Sequence, residues 1–193
     1  MQQRKPLVWF VGVASGSYVA NWPVYLVAEE PSYQQFVLAL DAEQYGLATS
    51  ALPDTDRRRY VERITRARLH QPVFRAQVIT AYQERCAICS LRHVPLLDAA
   101  HVRSDAEGGQ PVVPNGLALC KIHHAAFDVG IFGVDPVGAR VVVRDDVLRE
   151  VDGPMLRYGL QEIDGQRLRL PRARRDQPDL DLLTARFAAF RAA

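Results

Sequence analysis

Three cysteines and one histidine stand in two half-sites of equal spacing, Cys86-Ala-Ile-Cys89 and Cys120-Lys-Ile-His123. The first pair has the spacing of a zinc knuckle, where a tight turn points two thiolates at one ion. The second pair completes a tetrahedral shell of three sulfurs and one imidazole, a donor set of structural zinc. With all four positions taken by protein, no coordination site is left for water, so the expected ion is a staple and not a catalyst. His93 is a further candidate for the fourth ligand. The competing reading is a pair of buried thiols beside an unrelated histidine. All three cysteines of the chain fall in these pairs. An odd number leaves one over in any disulfide scheme, and a cysteine hydrolase would need a thiolate beside a base, outside a metal pair.

A second set of reactive side chains lies within the same stretch. His101 ends the apolar segment Pro95-Leu96-Leu97-Asp98-Ala99-Ala100-His101-Val102, where two small alanines leave room for a polymer backbone to approach. Asn115 sits in a Pro-Asn-Gly turn, and His124 and Asp128 follow on what reads as a helix beginning around Cys120. Consecutive helical residues point about 100° apart, so His123 and His124 do not serve one ion. His124 and Asp128 are four apart and share a face, where together they could hold a divalent cation. Singly, a histidine on a strand is usually structural and Asn-Gly is usually a turn; the joint arrangement is what points to chemistry.

These groups need elements to position them. Residues 7–13, 24–27 and 35–40 read as strands of a small β-rich module, with Gly12, Gly16, Asn21 and Pro23 as turn formers. The chain begins almost inside the first strand, which suggests a shortened member of a longer architecture. Asp54-Thr55-Asp56 offers cap side chains to a helix over about 56–69. Pro72 suits the start of another helix, whose stripe of Phe74, Val78 and Tyr82 runs to about Glu84 and delivers the chain into Cys86. Val134 and residues 141–143 suggest a hairpin turned by Asp135-Pro136-Val137-Gly138, and residues 168–170 a further strand stopped by Pro171. Residues 179–192 read as a closing amphipathic helix with Leu180, Leu183, Phe187 and Phe190 toward the core. Domains are expected at 1–53, 54–152 and 153–193.

The order Cys-x₂-Cys, Leu-x-Ala-Ala-His-Val, Asn-Gly-Leu-x-Leu-Cys, His-His-x-x-Phe-Asp over residues 82–134 resembles the HNH (ββα-metal) endonucleases, and in particular those of predicted bacterial restriction enzymes. The implied fold is α+β: a zinc-stapled ββα-metal domain with an N-terminal β-rich module and a C-terminal helix. The resemblance implies His101 as general base, Asn115 as the residue that steadies the loop and orients that histidine, and His124 as a ligand of the catalytic metal. Asp128 falls where many relatives place a second ligand. Several relatives carry a metal ligand directly before the base, whereas here that position is Ala100. Asp98 is a substitute candidate for the divalent site, although strand alternation places it on the face opposite His101. The implied activity is divalent-metal-dependent (Mg²⁺ or Mn²⁺) hydrolysis of DNA phosphodiester bonds in a restriction or defence nuclease. The alternative is a catalytically inactive zinc module that binds nucleic acid.

Composition is compatible with either. The 193 residues are 48% hydrophobic and 24% charged, with a net charge of only +2. Between Arg57 and Arg75, however, seven arginines face a single acid, Glu62, and Arg172, Arg174 and Arg175 cluster again. Such patches attract phosphate, although a solvated helix face accounts equally well for any one arginine. Arg57, Arg58, Arg63, Arg66, Arg75 and Arg103 are the candidate contacts to double-stranded DNA, modified or not. Trp9, Trp22 and Tyr25 are core residues by default and base-stacking residues if the first module reads a modified base. No apolar run reaches bilayer-spanning length and no signal-peptide pattern is present, so a cytoplasmic protein without a membrane partner is expected. Cutting both strands with one site per domain suggests a homodimer.

Overall fold

The computed structural model describes residues 5–30, 35–42 and 71–192. The chain divides into two compact units, residues 1–76 and 77–193. The expected helix over 56–69, with Arg57, Arg58, Arg63 and Arg66, lies outside the described residues.

The first unit contains an antiparallel sheet in the order β1 (Leu7–Ala14), β2 (Ser17–Glu30), β3 (Gln35–Ala39). Strand β2 is far longer than the four residues expected from sequence. Of the four turn formers, Gly16 makes the β1–β2 turn, at φ +74°. Asn21 stays in the strand and donates from its side chain to the Trp9 carbonyl at 3.3 Å. Pro23 falls where the ladder shifts register, between the pairs Leu7–Val24 and Trp9–Asn21, a place where its missing N–H is tolerated. Trp22 is 67% exposed and Trp9 37%, which corrects the default that these rings are core.

Helix α1 (Gln71–Ala81) carries the expected stripe, and Phe74, Val78 and Tyr82 are all buried. It stops where Gln83 and Glu84 turn left-handed, at φ +57° and +55°. In the second unit, β4 (Leu97–His101) and β5 (Gly116–Cys120) pair antiparallel from Leu97–Cys120 to His101–Gly116, and α2 (Lys121–Asp128) follows without a loop. All five residues of β5 are buried, so this strand is the middle of the core. The buried Tyr82 hydroxyl donates to the Gly116 carbonyl at 3.4 Å, opposite His101 in the ladder.

A second hairpin, β6 (Phe132–Asp135) and β7 (Arg140–Val143), packs Phe132 against Phe127 of α2 at 5.7 Å between ring centroids. Short helices α3 (Asp145–Arg149) and α4 (Pro154–Leu156) follow, and α4 runs on into a π-helical turn, Arg157–Gln161. Residues 168–170 do not form the expected strand. Their N–H groups are divided between different parts of the unit, with Leu168 donating to Ala139 and Arg169 to Ala87.

The closing helix α5 (Leu180–Ala192) is capped by the Asp179 carboxylate, which accepts from the N–H groups of Asp181 and Leu182. Leu183 is buried as expected, and Phe187 stacks on Phe190 at 5.9 Å. Leu180 is not core but 64% exposed, because the first residue after the cap lies beyond the edge of the packed face. Across the interface, the Phe190 ring lies against Gly133 of β6, and a Cβ built there would come 2.5 Å from the ring. Gly133→Ala should therefore force α5 off the hairpin and cost about 1–3 kcal/mol, the usual cost of overpacking. Urea denaturation should show the midpoint falling, with Gly130→Ala, where nothing lies within 4 Å but φ is positive, as a comparison that tests backbone strain alone.

Candidate active site and metal centre

The four residues of the two half-sites converge. The ligand atoms of Cys86, Cys89, Cys120 and His123 all lie within 4.8 Å of one another. The local chain explains how. Residues 86–91 make a knuckle, with Cys86 N–H donating to Leu91 O and Ser90 N–H donating back to Cys86 O. Ala87 N–H donates to Ala118 O at 2.7 Å and ties that knuckle to β5. Strand β5 ends in Cys120, and the first turn of α2 brings His123 back toward it.

His123 Nδ1 lies 3.2 Å from Cys120 Sγ and 3.4 Å from Cys86 Sγ, and the Cys89 and Cys120 sulfurs are 4.0 Å apart. Zinc bonds of about 2.3 Å to sulfur and about 2.0 Å to nitrogen give tetrahedral edges of roughly 3.5–3.8 Å, so the cluster fits that ion. Nε2 of His123 donates to the Gly159 carbonyl at 2.9 Å, in the π-helical turn. That bond leaves Nδ1 turned toward the sulfurs, the backing usual for a metal-bound imidazole. Burial opposes a charge on His123, but contact with Cys120 and Cys86 outweighs it and pushes the pKa up to about 10. The thiols of Cys86 and Cys89 hold Cys120 far down, as a thiolate. A cage this rich in electron pairs suits a cation. His93 is exposed and outside the cluster.

The second set of residues sits on the other side of α2. His123 is 2% exposed, whereas the His124 side chain is 23% exposed. His124 Nε2 lies 3.2 Å from Asp128 Oδ2, one helical turn on, and Nδ1 lies 3.5 Å from Asp98 Oδ2 on β4. The Nε2–Asp128 separation suits two neighbouring ligands of an octahedral ion with bonds of about 2.1 Å, whose edge is roughly 3 Å. Asp98 also receives the Lys121 ammonium at 2.7 Å and the Ala99 N–H at 3.1 Å. Burial works against the Asp98 charge, yet Lys121 holds its pKa below the usual carboxylate value.

His101 ends β4 half-buried. Burial pulls its pKa below the ordinary imidazole value; the charge of His124 acts in the same sense, and Asp105 and Asp128 oppose it. The ring is therefore held toward its neutral, proton-accepting form. The chain leaving His101 loops through residues 102–115 and returns at Asn115, which is 1% exposed. The Asn115 side chain accepts from Arg103 N–H at 2.8 Å and donates to Arg103 O at 3.0 Å and Gln110 O at 2.9 Å. Three bonds from one buried amide thus fasten both ends of the loop that starts beside His101. Arg103 itself projects outward, and Arg75 is half-buried in the first unit.

Three contributors went unread in the sequence. A Cβ on Gly109 would overlap the Arg103 carbonyl at 2.0 Å, so this backbone passes where only glycine fits; the Gly-Gly pair was the available signal. Arg186 of α5 donates to the carbonyls of Phe127 and Asp128 and stacks on Phe127 at 4.9 Å, closing the end of α2 that carries Asp128. Lys121 carried no distinguishing pattern.

Residues 86–135, about a quarter of the chain, match the family model of the HNH endonucleases. No curated protein matches the chain. Among solved structures, a modification-dependent TagI restriction endonuclease is similar at 18% identity and a TM-score of 0.43; the match covers 95% of this chain and 61% of that one. This chain thus spans less than two thirds of that protein.

Purified protein should carry about one equivalent of zinc by elemental analysis. Cys86→Ser should lose that zinc and lower the melting temperature, because binding to a structural site is folding free energy. Thiol labelling of the intact protein should be slow and should accelerate once a chelator is added.

Proposed function

We propose that this chain is a divalent-metal-dependent endodeoxyribonuclease that hydrolyses DNA phosphodiester bonds, with zinc on Cys86, Cys89, Cys120 and His123 as its structural staple. The observation that carries this reading is the pairing of His124 with Asp128 on the outward side of α2, beside a His101 biased toward neutrality, inside a segment that matches HNH endonucleases.

Hydrolysis needs an activated water, neutralised phosphate charge and a stabilised leaving oxygen. Neutral His101 takes the proton of the attacking water, as a general base of near-neutral pKa does best. Asn115 keeps the loop that follows His101 in one conformation, so the imidazole does not have to search for its pose. His124 and Asp128 would hold a hard divalent cation, which when bound supplies charge neutralisation at a non-bridging oxygen and at the leaving 3′ oxygen. In-line attack with that polarity leaves 5′-phosphate and 3′-hydroxyl ends. Arg103, exposed at the mouth of the loop, is placed to meet a backbone phosphate. The remaining candidate DNA contacts are Arg57, Arg58, Arg63, Arg66 and Arg75.

We assign the first unit as a DNA reader, possessing surface indoles at Trp9 and Trp22 that are open to stack on a base. A restriction or defence role, with modified DNA as target and two copies acting on the two strands, is the biological form of this proposal. Among the described residues no helix is long and apolar enough to cross a membrane.

The test is cleavage of plasmid, phage and modified DNA with Mg²⁺ or Mn²⁺. His101→Ala should slow cutting by about 10²–10⁴-fold, the usual worth of general-base help, with an unchanged melting curve. Equal cutting by the variant would remove His101 from the mechanism, and salt-sensitive DNA binding without any cutting would favour an inactive zinc module. The acid limb of the rate profile should reflect His101: activity is lost as the base is protonated. That loss should occur below the ordinary imidazole value of 6.5, since burial lowers the folded pKa.

A further inference from the structure

We infer that Asp98 is a positioning residue for His124, and not a third ligand of the divalent site: it holds Nδ1–H and so turns the Nε2 lone pair toward Asp128. This deepens the proposed function and rests on His124 and Asp128 being the cation's protein ligands.

Three observations carry it. The first is the sidedness of the imidazole. Asp98 Oδ2 approaches Nδ1 at 3.5 Å and Asp128 Oδ2 approaches Nε2 at 3.2 Å. The two ring nitrogens direct their lone pairs apart, so a cation shared by Nε2 and Asp128 lies on the far side of the ring from Asp98. The second is the company Asp98 keeps. Its Oδ2 already meets the Lys121 ammonium at 2.7 Å and its Oδ1 accepts the Ala99 N–H, and a second cation at that carboxylate would lie against Lys121. The third is its mounting. Asp98 pairs with Leu119 in the β4–β5 ladder, while His124 and Lys121 lie on the helix that directly follows β5. A strand carboxylate therefore reaches across to fix the ring of a helical histidine, the arrangement in which an outer carboxylate sets tautomer, orientation and basicity of a ligating imidazole.

The structure thus offers another use for the acid three residues before His101. Directly before His101 stands Ala100, which is fully buried and whose side chain has no donor atom. The Asp98 carboxylate acts on the cation through His124, as an orienting group.

The test uses full-length, zinc-replete protein without DNA. Long-range proton–nitrogen spectra of the histidine side chains, taken well above the ordinary imidazole pKa range, should show His124 with its proton on Nδ1. Calorimetric titration with Mn²⁺ alone should give an affinity that falls about ten- to a hundred-fold in Asp98→Ala, with the Nδ1–H form depleted. Asp98→Asn keeps an acceptor oxygen facing Nδ1 and should recover most of both properties. The assignment is overturned if His124 carries its proton on Nε2 in the parent protein, if Asp98→Asn loses Mn²⁺ as completely as Asp98→Ala, or if the parent protein binds no Mn²⁺. Because neither readout involves cleavage, a protein that follows this pattern but cuts no DNA would refute the nuclease reading and leave the role of Asp98 standing.

Discussion

Adjacent side chains on an α-helix diverge by about 100°, and the second unit is organised around that divergence at His123 and His124. One ring turns inward to three sulfurs and is almost wholly buried; its neighbour turns outward between two carboxylates. A single turn of α2 thereby joins a closed centre to an open one. The closed centre gathers the 86–91 knuckle, the end of β5, the start of α2 and, through Gly159, the π-helical turn. Whatever moves that cluster moves the base of the helix on which His124 and Asp128 stand.

The rest of the unit supports this axis from both ends. At the start of α2, strand β5 is buried along its whole length and hydrogen-bonded to β4, so the positions of His101 and Asp98 are set by the same ladder that delivers Cys120. At the far end, Arg186 places its guanidinium on the last carbonyls of α2 and on the face of Phe127, where positive charge complements the helix dipole. The α5 helix is held in turn by the Phe190–Gly133 contact with β6. A side chain 58 residues away in sequence thus bears directly on Asp128.

Polarity inside this framework is confined to places where it is satisfied. Asn115, among the most deeply buried polar side chains described, spends its amide on three bonds to backbone and turns the excursion through residues 102–115 into a fixed loop. Leaving such a group unpaired would cost about 1–3 kcal/mol, so the loop and the amide enforce one another. His101, at the edge of the same framework, is only half-buried. That degree of burial lowers its pKa, and the Nε2 edge of the ring is turned away from solvent.

Much of this was legible beforehand because it depends on short-range rules. The x₂ spacing of the half-sites, the four-residue step from His124 to Asp128, the helix after Pro72 and the hairpin of Val134 with residues 141–143 are consequences of local geometry and periodicity, and they appear close to where they are expected. The misreadings share a cause as well. Residues 168–170 look like a strand, yet their N–H groups are taken by different neighbours; Leu180 fits the apolar stripe, yet falls past the packed face; Asn21 and Pro23 look like turn residues, yet a register shift keeps them in β2. Each depends on partners distant in sequence.

By itself, then, the sequence set out the candidate donors and their order: Cys86, Cys89, Cys120 and His123 as one group, His124 and Asp128 as another, with the neighbouring histidines bound to part company. Only the tertiary structure decided which ring nitrogen meets which carboxylate, that Asp98 crosses from strand to helix instead of standing idle on the opposite face, and that Arg186 braces the end of α2 while Gly109 passes against Arg103. Those outcomes depend on the register between β4 and β5 and on packing across long sequence separations, and no local pattern of residues encodes either.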